Sequence, residues 1–447
     1  MKEISFAESW SLWFIEDIWR YFSLPIVVAA AVLFLLKDDP APINGIYQQK
    51  GKFYYLKYLL FWLIYKLRSL RKKNSSDSGE VAGYGVSSKS SVAEMERAQM
   101  LPDERAHPMA VDAVYFCSSN ADGWYLVTAT ARRQGGMIQV LTYLRIPELG
   151  LFELPLHPRT LAPQSEPMAF AAAGLSISVV EPMKRWKITF DGSLKHTGTK
   201  KEHRVKFNLD WTSSGPFFDF DVHMNPWVTC DSMARETWTR DWFKLLQTRH
   251  QTHHEQFGHL TGSVEVKYED HDEAFTVELH GLRDHSYGNI REWQDLFRYA
   301  LQYVHLENGT NIAVGLICMP KLLSRITMGY VISPSGKINS VSWTDFELYK
   351  WGDDGSPPSK MEFSFAAGGE TYHMTCEVVC SPVFYMRDRK QDGSWDIDGV
   401  DCHSDAGHGS RVYERMCTFT VNGVKGTGIS EWCYENIERH QVDSAEP

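Results

Sequence analysis

At 447 residues with a formal net charge of −10, the chain is too long for one ordinary core and suits roughly two to three structural units. The charge is uneven: residues 1–73 hold eleven Lys/Arg against six Asp/Glu, a balance of +5, which leaves −15 for the rest. An acidic body argues against nucleic acid as a partner, and a basic, aromatic head argues for a membrane surface.

Tyr21 to Leu36 is a sixteen-residue uncharged run that reaches bilayer-spanning length when extended back through Trp19, Trp13 and Trp10. The extension brings in Glu16, Asp17 and Arg20, which a spanning helix must hold at headgroup level. A cleaved signal peptide is not expected, because the run ends in Lys37-Asp38-Asp39 rather than at small residues. Phe53 to Leu67 is apolar but interrupted by Lys57 and Lys66. As a helix it would extend only about 22 Å against a hydrocarbon core of about 30 Å, so it is predicted to lie in the interface or to re-enter. The cluster Lys66, Arg68, Arg71, Lys72 and Lys73 places this end on the cytoplasmic side, with the large domain cytoplasmic and the endoplasmic reticulum the favoured organelle. Two glycosylation sequons, at Asn74 and Asn308, are too common by chance to reverse that topology. Residues 74–104 turn to Ser, Gly and charge without apolar periodicity and read as a flexible linker.

After the linker the chain reads as short strands and turns: Val111–Cys117, a turn at Asn120–Gly123, Trp124–Arg132, a turn at Gly135-Gly136, then Ile138–Ile146. One helix is predicted at Ser232–Thr248, and strand grammar resumes to about Val421. The fold class is therefore mainly β: two consecutive antiparallel barrels, at 105–250 with the bridging helix and at 251–440, preceded by a helical membrane anchor at 1–73 and followed by a disordered tail at 441–447. Each barrel is large enough to surround an apolar ligand, and a single large sandwich is the alternative. The eight cysteines show no close pairing and read as thiols of a reducing compartment, with a few bridges possible in a lumenal domain.

Gly281–Trp293 packs Arg283, Asp284, His285, Tyr287, Arg291, Glu292 and Trp293 into one segment, the densest run of proton-moving groups in the chain. A hairpin would bring His254 and Glu255 beside Asp284 and His285, an acid/base wall on which a carboxylate fixes the histidine tautomer. Arg283 and Arg291 would hold carboxylates, and the whole reads equally as a buried ion-pair lattice. Glu431 and Trp432, after the Asn422-Gly423 turn, could face the same cavity as a second carboxylate with an aromatic wall. Glu181–Trp186 and Phe217–Asp221 read as half-buried strands, with Trp186 and Phe218 free to line a pocket. His250, His253, His254 and His259 lack zinc-site spacing, so no metal is expected; no cofactor fingerprint is present.

The segments His253–Gly262 (HHEQFGHLTG), Gly281–Trp293 (GLRDHSYGNIREW) and Val421–Trp432 (VNGVKGTGISEW) together resemble a group of domains related to carotenoid hydratase and AttH-like proteins. The resemblance covers about 105–440 and implies a pair of lipocalin-like barrels, with His285 in the cavity joining them. There an acid would protonate an isoprenoid double bond and Tyr287 would stabilise cationic charge through its ring. The hydratases carry Asp-His-x-Trp-Gly; here Asp284-His285-Ser286-Tyr287-Gly288 has tyrosine for tryptophan, and Asn311–Gly315 lacks their downstream Tyr-x-Asp. The reading is a membrane-tethered protein that binds a hydrophobic, lipid- or isoprenoid-like molecule in a barrel cavity and acts on it by acid/base chemistry at His285. A lipid-binding carrier without catalysis is the alternative, and a protein-binding scaffold is the weaker third.

Overall fold

The computed structural model describes residues 27–29, 32–74, 92–268, 270–352, 355–387, 389, 393–395 and 409–435. Among these residues twenty strands form two sheets. The first holds β1 (Val111–Ser119), β2 (Tyr125–Arg133), β3 (Met137–Ile146), β4 (Gly150–Glu153), β5 (Leu161–Pro163), β6 (Phe170–Ala172), β7 (Leu175–Glu181), β8 (Arg185–His196), β9 (Glu202–Asp219), β10 (Thr252–Lys267) and β11 (Asp272–Gly288). The second holds β12 (Arg298–Leu306), β13 (Asn311–Met319), β14 (Leu323–Ile332), β15 (Ile338–Thr344), β16 (Lys360–Ala367), β17 (Glu370–Cys380), β18 (Val383–Arg387), β19 (Gly409–Val421) and β20 (Val424–Glu435).

Both sheets close. In the first, β4 pairs β8, so the ring runs β4-β3-β2-β1-β11-β10-β9-β8; in the second, β17 pairs β19, so it runs β17-β16-β15-β14-β13-β12-β20-β19. The result is two closed, antiparallel, eight-stranded barrels rather than one sandwich. Turn chemistry fixes the hairpins: Asn422 and Gly423 both have positive φ, 48° and 83°, as a two-residue turn between Val421 and Val424 requires.

The division at 250/251 is not the observed one. β10 and β11 belong to the first barrel, where β11 pairs β1 from Val111↔Gly288 to Ser119↔His280. The reason is closure: residues 105–250 supply six ring strands, two short of the eight that close the barrel. The segment from Gly281 to Gly288 is therefore strand. The expected helix at 232–248 is also two helices, Pro226–Arg235 and Arg240–Thr248. Glu236 between them is extended and accepts hydrogen bonds from the Ser324 backbone N–H and hydroxyl at 2.7 Å each, and Thr239 restarts the helix by capping the Trp242 N–H.

Within the expected linker, residues 75–91 lie outside the described residues, but 92–104 are ordered. A short helix at Val92–Glu96 buries Met95 and Glu96 against the first barrel. Apolar side chains pack each barrel interior: Val114, Phe116, Trp186 and Leu279 belong to one core, and Val304, Phe365, Phe419 and Trp432 to the other. A third cluster, including Leu282, Tyr303, Tyr330 and Cys433, lies between the barrels. The seven described cysteines are free thiols; Cys402 lies outside the described residues.

A helix at Tyr54–Asn74 packs along Pro226–Arg235. Among the described residues no helix is long and apolar enough to cross a membrane. The expected span at 21–36 is described only at 27–29 and 32–36, which are helical, and its remainder, with Trp10, Trp13 and Trp19, lies outside. The tail at 441–447 lies outside as well.

Candidate functional site

The alternation of β11 decides the site. Residues 283, 285 and 287 face the interior of the first barrel, and 282, 284 and 286 face the second barrel. β10 follows in step, with His254↔His285 and Gln256↔Arg283 on the inner side and Glu255↔Asp284 on the outer side. The hairpin brings all four predicted groups together along the strands and separates them by face.

Inside, at one end of the first barrel, Glu96 and Asp112 organise the cluster. Glu96 Oε1 accepts from Arg283 at 2.7 Å and from His254 Nε2 at 2.9 Å, while Oε2 accepts from the Met183 N–H at 3.0 Å and Trp186 Nε1 at 2.9 Å. Asp112 Oδ1 faces His285 Nε2 at 2.7 Å; its Oδ2 accepts from Arg132 at 2.5 Å and the Gln99 N–H at 2.7 Å. Two carboxyl groups thus meet two guanidinium groups. Arg283 also lies over the Trp186 and Trp211 rings at 5.5 and 5.4 Å.

Burial pushes the Glu96 carboxyl up, but the Arg283 charge and the His254 bond outweigh it and hold its pKa at about 2. Burial, aided by Arg283, drives His254 down to about 3, so it is neutral at neutral pH and donates through Nε2. Its Nδ1 then presents a lone pair. His285 Nε2 likewise meets Asp112, and among the described residues neither Nδ1 has a hydrogen-bond partner although both rings are fully buried. Phe170, Trp186 and Tyr287 surround His285 with ring centroids at 5.7, 6.4 and 5.2 Å. Burial raises the Tyr287 hydroxyl to about 12.

Glu96, His254 and His285 offer three ligand atoms within 4.8 Å of one another. Arg283 already holds the Glu96 oxygen, so a divalent ion there would meet a guanidinium group at close range. The four clustered histidines considered in sequence scatter instead: His250 meets Asp221 at 2.7 Å, His253 faces the second barrel, His254 faces inward and His259 meets His280 at 2.8 Å.

Between the barrels lies a second cluster. His253 Nε2 stands 3.2 Å from Glu255 and 3.8 Å from Asp284. Tyr115 donates to Glu414 at 2.9 Å, Tyr299 donates to Glu431, and Glu414 pairs with Glu431 across β19 and β20. Burial raises Asp284 to about 6 and Glu431 to about 7, and lifts Glu414 well above the carboxylate range, the acids reinforcing one another. Burial works against the His253 cation, but Glu255 and Asp284 prevail and raise its pKa. Farther along β11 and β20, past Asp284 and Glu431, a groove of about 1090 Å³ opens, lined by Trp124, Glu278, His280, His305, Glu377 and Thr427 among others and by none of these acids.

Asp284 therefore does not orient His285; without a bulge in β11 at this point its side chain emerges on the other face, and Asp112 takes that role. His285 itself lies inside the first barrel, not in the space joining the two. Glu431 joins the layer with Asp284 and Glu255, whereas Trp432 is buried in the second barrel against Phe346. Arg291 donates to Gln251 at 2.6 Å beyond the strand end, and Trp293 packs into the inter-barrel core with its carbonyl accepting from Ser410. Phe218 stacks on Tyr330 at 4.3 Å in that core, and Trp186 walls the inner cluster. Glu96 and Asp112 escaped the sequence reading. Asp112 left a usable signal, an acid at the inward parity of Val114 and Phe116; Glu96 left none within its polar stretch.

Three solved structures are similar in part. The AttH-like protein NE1406 from Nitrosomonas europaea aligns at 13% identity and TM-score 0.40, covering 76% of this chain and 97% of its own. CghA with Sch210972 aligns at 9% and 0.44, covering 80% and 96%. Kievitone hydratase from Nectria haematococca aligns at 11% and 0.41, covering 76% and 97%. Among curated proteins no sequence matches. Residues 22–434 match the model of DUF8627 over most of the chain's length, and the protein belongs to this family of unknown function.

Proposed function

We propose that this protein binds a small, largely hydrophobic molecule of lipid or isoprenoid type at the closed end of the first barrel and moves a proton on it with His285. The observation that carries the reading is the Nδ1 of a fully buried imidazole, without a hydrogen-bond partner among the described residues, whose Nε2 is held 2.7 Å from Asp112. A buried acceptor without a partner is costly unless a ligand supplies the donor, and a carboxylate behind the ring stabilises the imidazolium that proton capture creates. Return of that proton to another ligand atom makes an isomerase or cyclase; protonation of a double bond by the imidazolium, with water adding to the cation and returning a proton to the ring, makes a hydratase. Asp112 is the positioning residue, and the rings of Phe170, Trp186 and Tyr287 suit an apolar ligand. The segment from Val92 to Gln99 closes this end, so ligand entry requires it to lift. The protein works at the cytoplasmic surface of a membrane, which would supply the ligand.

A second reading has the ligand between the barrels and Asp284 or Glu431 as the acid, supported by their meeting in one buried layer and by their pKa values near neutrality. Native mass spectrometry of the detergent-purified chain identifies the copurifying molecule. With it in hand, His285→Ala should abolish turnover and leave binding within about tenfold, roughly 1.4 kcal/mol. Full turnover by His285→Ala and its loss in Asp284→Asn would transfer the chemistry to the second site. Binding without turnover by the wild type would leave the carrier reading, and full turnover by both variants would rule out both sites.

A further inference from the structure

The helix Tyr54–Asn74 is amphipathic in the reverse sense. Its inner stripe, Tyr54, Lys57, Tyr58 and Trp62, is polar or aromatic and faces the body. Tyr54 donates to Asp231 at 2.5 Å, Lys57 donates to the Glu236 carbonyl at 2.8 Å, and Tyr58 and Trp62 both stack on Trp227 at 6.1 Å. Its outer stripe is aliphatic: Leu56, Leu59, Leu60, Leu63, Ile64 and Leu67, each 37–64% exposed. A helix serving only the body's core would turn the leucines inward. Here specific bonds hold them out, over a helix of 21 residues or about 31 Å.

We propose that this outward leucine stripe lies in the interfacial plane of a lipid bilayer, with the barrels standing on the membrane through it. The proposal rests on the membrane part of the reading above and names the contact face. Three observations select a lipid surface. The helix carries six Lys/Arg and no Asp/Glu, the composition that anionic headgroups attract, although the whole chain is acidic. The apolar surface continues into the preceding helical residues 32–36, where Leu33 and Leu36 are exposed, and Phe34 meets Phe53 edge-on at 5.8 Å. Lys52 donates to the Leu35 and Lys37 carbonyls at 2.9 Å each, tying the two segments together. The inner stripe is pinned at four points, so the outer face is presented as a fixed blade rather than inserted after a search.

Cosedimentation of the full chain with vesicles tests this, using phosphatidylcholine alone and phosphatidylcholine with phosphatidylserine. The chain should partition onto both, more strongly onto the anionic vesicles, and added salt should weaken that excess. Leu59→Glu with Leu63→Glu should lower partitioning at least about tenfold with an unchanged near-ultraviolet circular dichroism spectrum, since both positions lie away from the body. Vesicle binding by the wild type with no loss in the double variant would overturn the assignment of this face and leave membrane attachment standing. Absence of wild-type binding would overturn both. A soluble dimer dissociated by the double variant, without vesicle binding, would make the stripe an interface between copies.

Discussion

Glu96→Gln measures how far the inner cluster depends on one charge. The carboxylate accepts four hydrogen bonds, two of them from Arg283 and His254, and is fully buried. An amide of the same shape loses the charge opposite Arg283 and turns a donor toward the Met183 N–H or Trp186 Nε1. Against an ordinary value of 4.5, a folded pKa of about 2 corresponds to about 3 kcal/mol at neutral pH, in line with roughly 3–5 kcal/mol for breaking a buried pair. The folded pKa is depressed, so this stability is present in full above pH 4.5 and is lost as pH falls through about 2. Urea denaturation should show Glu96→Gln about 3 kcal/mol less stable than wild type at pH 7, the gap narrowing to about 1.4 kcal/mol at pH 3. Hydrogen exchange should quicken at 92–99, because the segment loses its anchor. A gap that stays constant with pH, or a loss under about 1 kcal/mol at pH 7, would refute the charge-centred account.

Between the barrels the sign reverses. The folded pKa of Glu431 is raised to about 7, so its contribution is present below pH 4.5 and lost as pH rises through 7; Glu431→Gln should match wild type at pH 4 and exceed it at pH 9 by about 1–3 kcal/mol in urea melts. Gly281→Ala would bring a β-carbon within 1.9 Å of the Cys117 carbonyl oxygen, and should cost about 3 kcal/mol through the β1–β11 contact, read as a lower urea midpoint. Thr239→Ala removes the cap on the Trp242 N–H and should cost about 1 kcal/mol in the same assay, leaving the inner cluster's pH dependence unchanged.

The β character, most strand positions and the meeting of His254 and Glu255 with Asp284 and His285 were legible, because alternation and a hairpin are local properties. Allocation of β10 and β11 to the first barrel was not, since the partner of β11 is β1, more than 150 residues away, and closure is a property of the whole ring. The break at Glu236 was hidden for the same reason: it follows from Ser324 on another element. Among site residues, Asp284 and His285 looked like a pair because they adjoin in sequence, yet adjacency on a strand puts them on opposite faces. The true partners, Glu96 and Asp112, come from segments read as linker and as ordinary core.

That two-faced strand also governs how the hairpin can pair. A one-residue slip of β11 against β10 would carry Asp284 in beside Trp186 and Glu96, and turn Arg283 and His285 out among the tyrosines. A two-residue slip restores the faces but parts Gly258 from Gly281 and Gln256 from Arg283, which are opposite one another in the native ladder. Misaligned pairing is thus penalised on both sides of the sheet, and the same side chains that build the two clusters act as a check on alignment while the barrel folds.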